Sequence, residues 1–140
     1  MSSIFRTLII VYAVLMLVSG LVPFAYMNTE DPDLRQLLQW DGYSATFTLN
    51  NAINWAWAVV DFGVLAGLYF YWRPARTAFV VLLVLSTAMA AFEGVRVMHP
   101  LDIVVGTLMW PLYGVLIAIS YLTSVANKFE VTQRAIAENG

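Results

Sequence analysis

The amino-acid sequence predicts an all-α protein, a single domain over residues 1–140 built as a polytopic bundle of four transmembrane helices. The chain is 61% hydrophobic and only 11% charged, whereas soluble domains are about 45–50% apolar and about 25% charged. Its apolar residues group into four segments, each close to the roughly 20 residues that cross the hydrocarbon core of a bilayer. No segment alternates polar and apolar residues as a barrel strand does, so each is expected to be a helix.

The four predicted helices are joined by short links, except after the first. They are Ile4–Tyr26, Thr48–Trp72, Thr77–Met98 and Leu101–Thr123, followed by a cytoplasmic tail over residues 124–140. We expect the first helix to be retained in the membrane rather than removed as a signal peptide. Its apolar run from Thr7 through Ala25 exceeds the ~7–15 residues of a signal sequence, and no small-residue cleavage site follows it.

The placement of Lys and Arg predicts the orientation, because cytoplasmic loops carry the excess of positive charge. Five of the seven lie at the start of the first helix, between the second and third, and after the fourth: Arg6, Arg73, Arg76, Lys128 and Arg134. The connection Asn28–Phe47 is acidic instead. We therefore expect both termini in the cytoplasm of a bacterial-type cell and the acidic loop on the outer side of its inner membrane.

The acidic outer loop contains the pattern of a short amphipathic helix. Asp31 precedes Pro32 at a helix-start position, and Leu34, Leu37 and Leu38 recur at helical spacing. We expect this helix to lie on the outer membrane surface, with Trp40 at headgroup depth. It is either a packed connector or a lid over a cavity that opens outward.

Asp61 is the most informative polar residue, because a carboxylate at mid-membrane depth is costly and marks a candidate functional site. It lies twelve residues before Arg73, or about 18 Å at the helical rise of ~1.5 Å per residue. Asn50 and Asn54 share its helix face. Glu93 and Arg96 are neighbours three residues apart on the third predicted helix.

Two further polar residues of the predicted cluster lie on the fourth helix. Asp102 is in its first turn, as an N-cap or next to the free amides, and Thr107 lies further in, four residues before Pro111. The polar residues thus gather in the outer half of the predicted bundle. Because the inner half is nearly all apolar, the sequence favours a dead-ended, outward-facing pocket or a structural salt-bridge cluster over a channel.

Three interpretations of Asp61 remain open. It can form a structural ion pair or hydrogen-bond network with Arg96, Asn54 or a neighbouring copy of the chain. It can instead bind the head group of a lipid-like or quinone-like molecule, or relay a proton or ion.

Elsewhere, Gly63 and Gly67 form a small-xxx-small pair that favours close helix approach or dimerisation. The tryptophans Trp55, Trp57 and Trp110 favour packing or headgroup anchoring over a stacking cage.

Composition excludes several kinds of chemistry. The chain has no cysteine, so it cannot form disulfides, thiolate metal sites or thiolate-ligated iron–sulfur clusters. Its single histidine, His99, cannot by itself form a histidine cluster for a metal or two axial ligands for a haem. The net charge is −2 and there is no basic stripe, so nucleic acid is not an expected partner. No cofactor is evident from any motif.

The run Asp61–Ala78 resembles the junction between the second and third helices of DoxX-like proteins. In both, an acidic residue is followed by a Gly-rich apolar helix, a short Arg-containing turn and another apolar helix. The plan of four short-linked helices in about 140 residues is similar too. The resemblance implies a small four-helix membrane protein, often an accessory subunit, and supplies no catalytic residues.

These observations predict a non-catalytic accessory or lipid-like-ligand-binding subunit. Its expected partners are membrane lipid and either further copies of the chain or a larger membrane complex. One alternative is a small proton-coupled carrier or membrane enzyme that uses Asp61 with Glu93 and Arg96. Another is a membrane immunity or inhibitor protein recognised through its acidic outer loop.

Overall fold

The computed structural model describes residues 2–26, 33, 51–92, 98 and 100–138, and these residues are mainly helical. In chain order the helices are α1 (Ser2–Tyr26), α2 (Asn51–Tyr69), α3 (Arg73–Ala90), α4 (Pro100–Leu122) and α5 (Val125–Glu138). No strand occurs within this described part, which confirms the all-α prediction. The amphipathic helix predicted in the outer loop lies, apart from Asp33, outside the described residues.

Three of the helices are long and apolar enough to cross a membrane: α1 over Ser2–Val22, α3, and α4. The apolar part of α2, Trp55–Tyr69, is shorter than a span. Large apolar side chains on the spans point away from the protein interior, for example Ile10, Leu21, Val84 and Leu108. A surface of this kind suits hydrocarbon rather than water, which indicates a membrane protein.

The connection between α2 and α3 is shorter than the sequence pattern predicts. Helix α3 begins at Arg73 rather than Thr77, and Pro74 occupies its first turn. Proline is well accommodated there, because the first amides of a helix have no intrahelical acceptor and its φ angle suits the helix. Only Phe70–Trp72 therefore separates the two helices, which run as an antiparallel hairpin.

Helix α2 ends in a Schellman motif. The amide of Trp72 donates to the carbonyl of Gly67 at 2.7 Å, and the amide of Tyr71 donates to the carbonyl of Leu68 at 3.0 Å. Tyr71 adopts the left-handed φ of 58° that this motif requires, a position where glycine is usual. Gly67 itself permits the close contact of the hairpin, because a Cβ there would lie 2.6 Å from the Cβ of Ala75. Gly63 faces open space.

The interior contains two layers of aromatic side chains. At one end of the bundle, Phe5 of α1 packs against Tyr71 at 6.0 Å and against Phe129 of α5 at 6.1 Å between ring centroids. Further in, Tyr12, Phe79 and Tyr113 bring α1, α3 and α4 together. Helix α1 lies along α4, and α2 lies along α3.

Helix α5 occupies part of the chain to which the sequence pattern assigned only a tail. Its residues Val125 and Phe129 are buried in the end layer of the core. The hydroxyl of Thr123 donates to the carbonyl of Ile119 at 2.7 Å and accepts from the amide of Val125 at 3.2 Å. This one side chain thus links the last turn of α4 to the first turn of α5.

Candidate functional site

Asp61 lies in the middle of α2 and is half-buried. Its face of the helix points into the protein, because Leu65, four residues later, is 3% exposed and belongs to the core. The side chain of Asn54 and the whole of Asn50 lie outside the described residues, so their place beside Asp61 stays a prediction.

Two tyrosines from other helices, Tyr12 of α1 and Tyr113 of α4, lie within electrostatic range of the Asp61 carboxylate. The ring of Tyr12 meets that of Tyr113 edge-on at 5.3 Å, and Tyr113 stacks on Phe79 of α3 at 4.0 Å. We call these four residues, Asp61, Tyr12, Phe79 and Tyr113, the Asp61 cluster. Each of the four long helices contributes one of them.

The polar atoms of the Asp61 cluster differ in how they are satisfied. The hydroxyl of Tyr113 is buried and donates to the carbonyl of Phe79 at 3.2 Å, which fixes that ring between α3 and α4. Asp61, by contrast, forms no hydrogen bond or ion pair with any side chain that the structure describes. Within the described part of the chain its carboxylate therefore has unused hydrogen-bonding capacity, since a carboxyl group offers about four lone-pair positions.

No described cation is close to Asp61. Arg73, the nearest along the hairpin, lies beyond the end of α2 at Tyr69, and the eight residues from Asp61 to Tyr69 already span about 12 Å along the helix axis. Glu93 and Arg96 lie outside the described residues, as does His99. The predicted ion pair between Asp61 and Arg96, and the predicted pair of Glu93 with Arg96, therefore stay predictions.

The structure does not bring Asp102 or Thr107 to the Asp61 cluster. Asp102 precedes Tyr113 by eleven residues on α4, which separates them by about 16 Å along the helix axis. It lies in the first turn, two residues after the helix begins at Pro100, so it neighbours the free amides but is not the N-cap. Thr107 points outward, and its hydroxyl donates to the carbonyl of Ile103 at 2.7 Å.

Trp55 and Trp110 do not take part in a stacking cage around the Asp61 cluster. Trp55 is 67% exposed and Trp110 is 56% exposed, both on the apolar outer surface of the bundle. This placement suits side chains that contact lipid. Among the described residues no group of three or more His, Asp or Glu side chains could hold a metal ion. The cluster thus offers one carboxyl group and two phenol groups beside the apolar ring of Phe79.

Tyr12 and Tyr113 were not among the site residues predicted from the sequence. A usable signal exists for Tyr12, since Phe5, Ile9 and Tyr12 recur at helical spacing and all are buried. In a membrane segment a tyrosine on the buried stripe carries its hydroxyl into the interior, where it needs a polar partner. Which tyrosine meets Asp61 depends on how α1 and α4 pack against α2, and spacing within one helix carries no such information.

Comparison of the chain with models of known protein families, with curated proteins and with solved structures found no match. The resemblance to DoxX-like proteins therefore stays a prediction.

Proposed function

We propose that this chain is a multi-pass protein of a bacterial-type inner membrane that binds a lipid-like molecule, without catalysis, at the Asp61 cluster. In this proposal four helices cross the membrane and both termini lie in the cytoplasm. The protein acts as a binding or accessory subunit, either as a homo-oligomer or within a larger membrane complex.

The hairpin of α2 and α3 supports the fourth crossing. Because only three residues join these helices, α2 must run back across any membrane that α3 crosses. With 19 residues, α2 is about 28 Å long at ~1.5 Å per residue, close to the ~30 Å hydrocarbon core. Its apolar part begins only at Trp55, because Asn51 and Asn54 occupy its first turn.

The observation that carries the proposed function is the half-buried carboxylate of Asp61, which no described side chain neutralises. A charge at this depth in an apolar bundle is expected to have a partner. A lipid-like molecule with a hydroxyl or ammonium group in its head would supply the missing donor. The rings of Tyr12, Phe79 and Tyr113 are buried in the core, so the apolar part of the molecule would lie against exposed side chains beside Asp61 on α2, such as Val60.

The test is native mass spectrometry of the full-length protein extracted in mild detergent. We expect the wild type to carry a co-purified lipid-like molecule, and Asp61→Asn to reduce its occupancy about tenfold or more, because hydrogen bonds to charged groups contribute about 1.5–3 kcal/mol. Asp102→Asn is the matched control, since it removes a half-buried carboxylate about 16 Å away, and its occupancy should match the wild type.

The same variants distinguish the other interpretations of Asp61. Unchanged occupancy in Asp61→Asn would exclude the proposed site. If occupancy is unchanged but the unfolding temperature falls, Asp61 is a structural group, as an ion pair with Arg96 predicts. A proton-coupled carrier is indicated instead if Asp61→Asn abolishes a pH-dependent uptake in proteoliposomes and retains the bound molecule.

A further inference from the structure

Every Lys and Arg side chain that the structure describes lies at one end of the bundle. Arg6 is near the start of α1, Arg73 and Arg76 are in the first turn of α3, and Lys128 is in the first turn of α5. We call these four residues and Glu130, which contacts two of them, the basic end. It carries three positive charges in excess, although the whole chain has a net charge of −2.

Aromatic rings lie against three of these cations. Arg6 lies 4.9 Å from the ring centroid of Tyr69, and Arg76 lies 4.4 Å from that of Tyr121. Lys128 lies 5.5 Å from the ring of Tyr71. Contacts of this kind stabilise a cation over the face of a ring. They use no hydrogen-bond acceptor, so the N–H groups of the cations stay available to an anion.

The two arginines of α3 have more donors than their described neighbours can satisfy. Arg73 Nε and Arg76 Nη2 each lie 3.7 Å from the same Glu130 oxygen, too far for a hydrogen bond. Arg76 Nη1 donates to the carbonyl of Ser120 at 3.2 Å, but its buried Nε meets no acceptor within the described part of the chain. Each guanidinium offers five N–H donors in a fork that matches a phosphate group.

The helix that carries these arginines adds to the positive potential. The first turn of α3 contains no acidic residue, and its N-cap, Trp72, makes no side-chain capping bond. The N-terminus of a helix carries a partial positive charge and free amides, so cations there are unfavourable unless an anion accompanies them. Glu130 supplies one negative charge for both arginines, and a second anion would complete the balance.

The surroundings of Arg73 indicate that this anion belongs to a lipid. Phe70 is 68% exposed and Trp72 is 54% exposed. Both lie in the turn between the end of α2 and the start of α3 at Arg73. Exposed aromatic residues beside arginines at the end of a membrane-spanning helix are typical of the headgroup region. A lipid bound at this position would have its phosphate at the basic end and its acyl chains along the apolar outer face of the bundle.

We propose that the basic end binds the phosphate of an anionic phospholipid. Arg73, whose side chain is half-exposed, contacts the phosphate. The largely buried Arg76, together with Arg6 and Lys128, adds positive potential that raises the local lipid concentration, and Phe70 and Trp72 pack against the lipid chains. This site lies at the C-terminal end of α2, whereas Asp61 lies in the middle of that helix. The two sites are therefore separate.

The test is a titration of the full-length protein, delipidated in neutral detergent, with phosphatidylglycerol or phosphatidylcholine, followed by native mass spectrometry. The wild type should bind phosphatidylglycerol in preference to phosphatidylcholine. Arg73→Gln and Lys128→Gln should each weaken phosphatidylglycerol binding about fivefold, the usual effect of one cation near an anionic lipid. Arg73→Lys should retain most of the affinity, because it keeps the charge.

Glu130→Gln provides a variant with the opposite expected sign. It removes the competing carboxylate, so phosphatidylglycerol should bind more tightly, which a folding defect would not produce. Asp61→Asn should leave this binding unchanged, so the two sites can fail separately. Equal binding of the two lipids, or an unchanged affinity in both Arg73→Gln and Lys128→Gln, would overturn the proposal. Full competition by 10-fold excess inorganic phosphate would assign the site to free phosphate instead of lipid.

Discussion

Tyr71 shows how a side chain can outweigh an unfavourable backbone conformation. Its left-handed φ of 58° costs a residue with a Cβ about 1–2 kcal/mol. Its ring is buried, 5.4 Å from Phe129 and 6.0 Å from Phe5. Removing a buried aromatic side chain costs about 3–5 kcal/mol, which exceeds the backbone cost. Tyrosine is therefore retained where the turn geometry alone would favour glycine.

Gly67 supports a prediction about the α2–α3 hairpin. Gly67→Ala should destabilise the protein by about 1–3 kcal/mol, the usual cost of overpacking, because the new Cβ would lie 2.6 Å from the Cβ of Ala75. Thermal unfolding in detergent measures the difference. Gly63→Ala is the control: its Cβ meets nothing within 4 Å, so its stability should equal or slightly exceed that of the wild type. Equal effects of the two substitutions would show that the hairpin is not closely packed at Gly67.

Among the elements, α5 depends most on tertiary contacts. It has 14 residues, and helices of about this length are only marginally stable alone in water. Its position is set by two buried side chains, Val125 and Phe129, and by the ion pairs of Glu130 with Arg73 and Arg76. The ion pairs are partly exposed and contribute little. Phe129 therefore provides most of the energy that holds α5 in place.

Phe129→Ala should release α5 and leave the spans folded. Without the ring, contacts with Phe5 and Tyr71 are lost, at a cost of about 3–5 kcal/mol. Hydrogen–deuterium exchange should show faster exchange over Val125–Glu138 and little change in α1 and α4. Val131→Ala is the matched control, because Val131 is 67% exposed. If exchange in α5 is as slow in Phe129→Ala as in the wild type, the helix is held by other contacts.

For the whole molecule, the packing places three separate parts of the chain at one end. The start of α1, the turn between α2 and α3 and the start of α5 meet through the rings of Phe5, Tyr71 and Phe129. This end is also the basic end, which the distribution of positive charge assigns to the cytoplasm in the proposed topology. The opposite assignment would place its positive charges on the outer side, against the usual bias.

Cysteine labelling tests this topology directly, because the chain has no cysteine of its own. Single substitutions Ser3→Cys and Asn127→Cys should be protected from a membrane-impermeant maleimide in intact cells and should react after lysis. Asp31→Cys, in the acidic loop, should react in intact cells. Labelling of Asn127→Cys before lysis would contradict the proposed cytoplasmic position of α5. Asn127 is exposed in the folded protein and lies outside the candidate spans, so burial would not explain its protection.

The sequence by itself determined the helical class and the candidate spans, because both depend on local composition and length. Long apolar segments must satisfy their backbone hydrogen bonds internally, and a helix does so within one segment. Spacing predicted which residues share the helix face of Asp61, and the burial of Leu65 shows that this face points inward. The hairpin of the second and third helices was also predicted, but its turn is Phe70–Trp72 rather than Arg73–Arg76, because α3 begins four residues earlier than the apolar pattern predicted.

Only the tertiary structure decided which side chains meet. The packing of α1 and α4 brings Tyr12 and Tyr113 within electrostatic range of Asp61. Thr107, although on a predicted span, faces outward and donates a hydrogen bond to the carbonyl of Ile103 in its own helix. Helix α5 packs onto the bundle because Phe129 is buried in the core, where its ring contacts Phe5 and Tyr71. The physical reason is the same in each case. Helix propensity and span length are properties of neighbouring residues, whereas contacts between helices depend on the relative rotation of segments that are distant in the chain.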